Sequence, residues 1–164
     1  MRLAVATEYL IDRYLLRPKS LPPRIYEQYK LVIALVDVLA PEEVAKMRKG
    51  VCPWCGRRFR GKGLVRHLKS SAVWSVKVHP SGGDWFHVTE IYPRIPCRFH
   101  YFKLVEYLAN AYVKLRSMIT KTGPRLVMLK LDGKVYRFKN KGELADAIRN
   151  DHEVRRKVVE VLTK

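Results

Sequence analysis

Carboxylates are few in this sequence: 15 Asp and Glu stand against 33 Lys and Arg over 164 residues, a formal charge of +18. That imbalance excludes the balanced ion-pair surface of many heat-stable proteins, which matches Lys and Arg with Glu. Asn and Gln are scarcer still, at Gln28, Asn110, Asn140 and Asn150 alone, a composition that suits a hot-living source. Three cysteines cannot all pair with one another, and two of them form a Cys-x-x-Cys at Cys52 and Cys55. A metal in a reducing compartment is therefore expected rather than a disulfide framework. No run approaches the roughly 20 uncharged apolar residues of a membrane span; the best, Leu31 to Ala40, contains Asp37. The opening MRLAVATEYLIDR meets Glu8 and Asp12 too early for a signal peptide. These absences predict a cytoplasmic protein with no membrane partner.

What is present is 48% hydrophobic residues, enough for the core of one domain or of two small ones. The excess positive charge predicts a polyanionic partner, nucleic acid before an anionic membrane surface. Val5, Tyr9, Leu10, Tyr14 and Leu16 recur at helical spacing and predict a first helix over 3–16, which Pro18, Pro22 and Pro23 end. Ile25, Tyr29, Val32, Ile33, Val36 and Leu39 predict one core helix over 24–40, antiparallel to the first. Pro41-Glu42-Glu43 has the composition of a first helical turn, so a short helix should run to Lys49 and stop at Gly50.

Further on, Trp74, Val76 and Val78 alternate with polar residues before Pro80-Ser81-Gly82-Gly83, which predicts a β-hairpin over 72–92. Tyr101, Leu104, Leu108, Ala111, Leu115 and Ile119 mark a long amphipathic helix, and 121–124 reads as a turn. Asp132-Gly133 between 126–131 and 134–139 is the strongest hairpin signal in the chain. Asn140 with Glu143 resembles a capping box, and Asp151 can cap a last helix carrying Val154, Val158 and Val161. The expected fold class is α+β: N-terminal helices over 1–50, a metal module with an inserted hairpin and a long helix over 51–121, and a basic hairpin with C-terminal helices over 122–164, together one body. The apolar face of 24–40 suits an intramolecular core or a homodimer interface.

The segment 51–71 carries Arg57, Arg58, Arg60, Lys62, Arg66 and Lys69 and no acid. It also holds the densest chemistry. Two thiolates three residues apart, at Cys52 and Cys55, can grip one face of a tetrahedral ion while Gly56 permits the tight turn. His67, in the helix-like GLVRHL that follows, can approach the same ion as a third donor, and the fourth corner has four candidates, His79, His87, Cys97 and His100. If the hairpin extends about 3.3 Å per residue, His79 lies far from the metal while the returning strand delivers 93–100 to it. Two ligand sets follow: Cys52, Cys55 and His67 with Cys97 or, alternatively, His100; or Cys52, Cys55, Cys97 and His100 with His67 merely packed. Thiolate affinity favours Cys97 over His100 in the first set. Four protein ligands close the site, so one zinc ion there would be structural.

CPWCGRRFRGKGLVRHL, from Cys52 to Leu68, resembles the Cys2His2 zinc finger family at its Cys, Phe59, Leu64 and His67 positions together. Eleven residues separate Cys55 from His67 where the family has about twelve, and no second His or Cys follows three to five residues later. The resemblance implies a helix that enters the major groove and reads bases from Arg60, Gly63 and Arg66, of which only the arginines can pair with guanine. Arg57, Arg58, Lys62 and Lys69 would then contact phosphates. A lone finger seldom suffices, so the C-terminal hairpin, where Lys130, Lys134, Arg137, Lys139 and Lys141 cluster around the Asp-Gly turn, is expected to add a second contact, chiefly through Lys134, Arg137 and Lys139. In style the chain is similar to small DNA-binding finger proteins of hyperthermophilic archaea and their viruses or plasmids, which would place it at the nucleoid or in a host cytoplasm. The expected function is binding of double-stranded DNA, as a transcription regulator and without enzymatic activity. The rivals are an RNA-binding or ribosome-associated protein, a metal-dependent nuclease using His79 or His87 as base, and a protein-binding zinc module. Only Asp84 and Glu90 stand near those histidines to hold Mg²⁺, which weakens the nuclease reading.

Overall fold

Six consecutive residues, Leu31 to Val36, are all buried, and a helix apolar on every side belongs at the centre of its protein. The computed structural model describes residues 3–69, 97–123 and 125–163, with the side chains of 3–6 and 122 excepted. The predicted 72–92 hairpin, with His79 and His87, lies outside the described residues. Along the chain run α1 (Leu3–Leu16), a short 3-10 turn (Pro18–Ser20), α2 (Pro23–Gln28), α3 (Lys30–Leu39), α4 (Pro41–Arg48) and α5 (Gly63–Lys69). After them come α6 (Cys97–Ser117), β1 (Ile119–Gly123), β2 (Leu126–Leu131), β3 (Lys134–Phe138), α7 (Lys141–Asn150) and α8 (His152–Leu162). The class is α+β, as its alternating and helical periods imply.

The central helix α3 packs against α1, α2, α4, α6, α7 and α8. The single helix expected over 24–40 is two helices, because Tyr29 (φ −112°, ψ 26°) leaves helical geometry and becomes the start of α3. The buried side of α1 also differs from expectation. Thr7, Leu10, Ile11 and Leu15 face the core, whereas Tyr9 is 65% exposed. Along α6 the buried stripe is Tyr101, Val105, Leu108, Ala109, Ala111, Tyr112 and Leu115.

The C-terminal unit is a three-stranded antiparallel sheet in the order β1-β2-β3. Its β2–β3 turn holds Asp132 at φ 48° and Gly133 at φ 81°, the paired positive φ of a type I′ turn. Residues 119–123, read from sequence as a helix end and a turn, instead form β1, with Ile119 opposite Leu129 and Thr120 opposite Met128. Three of the four residues Ile119 to Thr122 are β-branched, and pairing with β2 outweighs the helical spacing of Ile119. Asn140 Oδ1 accepts from the Glu143 N–H at 2.8 Å, and Asp151 Oδ1 accepts from the Glu153 and Val154 N–H groups at 3.0 and 3.2 Å. These caps start α7 and α8.

Two half-buried or buried phenols tie the helices together through carboxylates. Tyr14 donates to Asp37 at 2.8 Å, and Arg149 from α7 donates to the same carboxylate at 2.9 Å. Tyr101 of α6 donates to Asp12 of α1 at 2.5 Å, and Lys69 at the end of α5 pairs with Asp12 at 2.8 Å. Burial first, then the negative charge of Asp37, pushes the Tyr14 hydroxyl up to about 12; burial and Asp12 push that of Tyr101 higher still. A phenol raised in the folded state contributes stability that is complete below its unfolded value and is lost as pH rises through its folded value. The protein is therefore expected to hold its stability to about pH 10 and to lose it across the range up to about 12. Alkaline titration followed by tyrosinate absorbance and circular dichroism checks this, with Tyr101→Phe expected to lose about 2 kcal/mol at neutral pH, where its charged hydrogen bond is intact.

Candidate metal centre

Gly50 ends α4 at φ +76°, and a Cβ there would meet the Phe59 carbonyl oxygen at 2.7 Å. The chain turns back on itself at this point. Phe59 N–H donates to the Gly50 carbonyl at 2.8 Å, Cys52 N–H to the Arg57 carbonyl at 2.9 Å, and Gly56 N–H to the Cys52 carbonyl at 2.9 Å. Gly56, at φ 75°, closes the Cys-x-x-Cys loop. This knuckle sets Cys52 fully buried and Cys55 at the surface. Gly50→Ala combines a left-handed backbone with a collision against main chain, so it is expected to cost about 2 kcal/mol and to weaken metal binding. Thermal melts with and without added metal would show both effects.

The helix α5 buries Leu64 and Leu68 and packs on α6. That packing turns His67 toward the knuckle, where its ring stacks on Phe59 with centroids 4.6 Å apart. Cys97 is the first residue of α6. The donor atoms of Cys52, Cys55, His67 and Cys97 all lie within 4.8 Å of one another. The Cys55 Sγ to His67 Nε2 distance is 3.5 Å. A tetrahedron with a metal–sulfur bond of about 2.3 Å and a metal–nitrogen bond of about 2.05 Å has a sulfur–nitrogen edge of about 3.6 Å. The donor set therefore fits one metal ion.

The electrostatics agree with that fit. Burial and then the charge of Arg57 lower the His67 proton affinity, leaving the neutral imidazole a metal needs. Burial pushes the Cys97 thiol up to about 12, reinforced by Cys52 and Cys55 beside it. The Cys55 thiol is lowered: although burial opposes ionisation, the Arg57 backbone N–H, the Cys52 and Cys97 thiols and the Arg57 charge together favour its thiolate. Three crowded sulfurs repel one another's negative charge, and a cation at their centre removes that repulsion. His100 is not among the four donors. Its ring stacks on Trp54 at 6.0 Å between centroids, and Trp54 in turn meets Tyr101 edge-on. Of the two expected sets, the structure thus brings together the one made of Cys52, Cys55, His67 and Cys97, with His67 a member of it.

Around the cluster, Arg57, Arg58, Arg60, Lys62 and Arg66 are exposed, and none of their cationic groups pairs with a carboxylate among the described residues. Arg60 precedes α5, whereas Arg66 lies on it. Lys69 differs, because Asp12 neutralises it.

In the C-terminal sheet the three expected contact residues divide. Lys134 stands opposite Leu131, on the core-facing row, and pairs with Glu153 at 2.5 Å. Arg137 stands opposite Met128, on the other face, in one row with Thr120. Lys130, opposite Val135, shares that outer face, and exposed Lys139 follows Arg137 two residues on. Lys130, which the sequence groups with these residues around the Asp132-Gly133 turn, therefore belongs to the same outer surface as Arg137. Tyr136 and Phe138 pack toward the core and offer no stacking platform on the outer face. No described helix is long and apolar enough to cross a membrane. No protein family, curated protein or solved structure matches the chain.

Proposed function

We propose that the chain is a zinc-stabilised protein that binds double-stranded DNA through the basic surface around its metal centre, as a regulator of transcription rather than as an enzyme. The observation that carries this reading is the row of cations Arg57, Arg58, Arg60, Lys62 and Arg66, without a carboxylate partner among the described residues, on the knuckle and helix that the cluster holds. Charge of one sign without compensating acid costs stability, and a polyanion offsets that cost on binding. Zinc suits the donors, since three thiolates and one imidazole are borderline-soft ligands in tetrahedral reach. The four donors would fill a tetrahedral ion's coordination, which supports a structural metal and a binding function. The shortened spacing and the third cysteine make this finger atypical: its closing ligand comes from the start of α6, so metal loading fixes the basic helix against the body of the protein.

The test is a titration of mixed-sequence duplex at several salt concentrations, with structured RNA of similar length as competitor and with a metal-stripped sample alongside. The expected result is a steep fall in affinity with salt, duplex preference and loss of binding without metal; the slope counts the phosphates contacted. Better competition by RNA, or no duplex binding at moderate salt, overturns the reading.

A further inference from the structure

A cavity of about 780 Å³ opens between α1, the α2–α3 corner, α6 and the start of α7, away from the metal-centre residues. Its volume is that of a small-molecule site. Leu10, Leu21, Leu31, Val32 and Tyr112 line it, each exposed by 9% or less, so most of its wall is apolar. The charges at its rim are unequal in their commitments. Arg13 is engaged with Ser20 Oγ at 3.3 Å and with the Ser20 carbonyl at 2.9 Å, and Lys30 is paired with Asp146 at 2.8 Å. Arg116 and Lys141 line the same cavity, are exposed, and have no carboxylate partner among the described residues. Glu27 is the lone carboxylate of the lining, and it lies within electrostatic reach of Lys30. Arg116 in turn lies within electrostatic reach of the Tyr112 phenol, as does Tyr29. An apolar wall beside two cations that have no carboxylate partner among the described residues, with the phenols of Tyr29 and Tyr112 close by, is the arrangement that holds a chain by its length and an anionic head by its charge.

We propose that this cavity binds a small amphipathic anion, an aliphatic chain ending in a carboxylate, with the chain against Leu10, Leu31 and Val32 and the head at Arg116 and Lys141. The site is independent of the metal centre and of the nucleic-acid reading.

Calorimetry on the full chain with dodecanoate, dodecanol and anionic lipid vesicles tests it. Dodecanoate is expected to bind one per chain, and at least about tenfold tighter than dodecanol, the effect of a charge-assisted contact. The double variant Arg116→Gln, Lys141→Gln should lose that tenfold preference, whereas Lys130→Gln, Arg137→Gln, with the same change in net charge on the outer sheet face, should keep it. Equal affinity for dodecanol, an equal loss in the control pair, many weak dodecanoate sites per chain, or binding to the vesicles alone would each overturn the assignment.

Discussion

A Cys52→Ser chain is expected to lose its metal and, with it, the fold of residues 51–69, the largest single loss of stability available outside the hydrophobic core. Within that stretch only Cys52, Leu64 and Leu68 are fully buried, too little apolar area to hold a knuckle and a seven-residue helix together. A structural zinc ion supplies on the order of 10–16 kcal/mol of apparent binding free energy at neutral pH, and in such modules that is folding free energy. Cys52 is 0% exposed, so serine there also buries a hydroxyl in place of a thiolate. The expected results are a fall from one bound metal per chain toward none, a lowered melting temperature, and loss of the thiolate-to-metal absorption expected of a cobalt-loaded wild type. His100→Ala is the matched control and should keep full metal content, because His100 packs on Trp54 and stands outside the donor set. If His100→Ala loses the metal and His67→Ala keeps it, the ligand assignment is wrong.

The same site fixes a pH dependence with a definite sign. Thiols must give up their protons to a metal, so binding releases protons and weakens as pH falls. The Cys97 thiol, held up to about 12 by burial and by its sulfur neighbours, is protonated at neutral pH before metal arrives. Titrations of metal in buffers of different ionisation enthalpy should therefore report about two protons or more released per ion near neutral pH. By linkage the stabilisation by metal should keep growing as pH rises above neutrality, toward the range near 12 where the Cys97 thiol would ionise unaided, and should shrink as pH falls toward 5.

Local chemistry was the legible part of this molecule. The Asp132-Gly133 turn, the Asn140 and Asp151 caps and the Gly50 stop each need only a few adjacent residues, and all are present as their sequence signals predict. The α+β class follows from the same signals. What the sequence could not convey depends on neighbours far along the chain. Tyr9 and Ile11 are both compatible with an apolar helix face, and only the placement of the helices packed on α1, namely α3, α4 and α6, decides that Ile11 is buried. β1 exists because β2 supplies its partner, and Ile119 alone continues a helical period equally well. Cys97 shows the limit differently. Its selection as the closing ligand rested on a hairpin over 72–92 that lies outside the described residues, yet the donor cluster contains it. Thiolate chemistry singled out the residue, and the packing of α5 on α6 places it.

Neutralising the outer face of the C-terminal sheet, with Lys130→Gln, Arg137→Gln and Lys139→Gln together, is expected to lower duplex affinity by about a hundredfold at moderate salt and to flatten the salt dependence by about 2.7 in logarithmic slope, if each cation meets one phosphate. The register makes this a face rather than a ribbon edge. Met128 and Arg137 are opposite one another, as are Lys130 and Val135, with Leu126 37% exposed beside them. Among the described residues of that face there is no carboxylate to compete for the cations. Lys134 belongs to the same hairpin and was expected from sequence to act with Arg137 and Lys139, but it points to the opposite row and Glu153 holds it. Lys134→Gln should accordingly leave both affinity and slope within about twofold of wild type, the small effect of an exposed ion pair. The contrast matters because the triple variant changes net charge, and any loss of positive charge weakens a polyanion's attraction somewhat. Arg155→Gln, Arg156→Gln, Lys157→Gln on α8 makes an equal change of charge elsewhere and measures that background. An affinity loss in this control as large as that of Lys130, Arg137 and Lys139 would mean that only total charge counts. A loss confined to the sheet face, in a chain that still carries its metal, would assign the outer face of β2 and β3 to the duplex as a second surface beside the proposed one at the knuckle arginines.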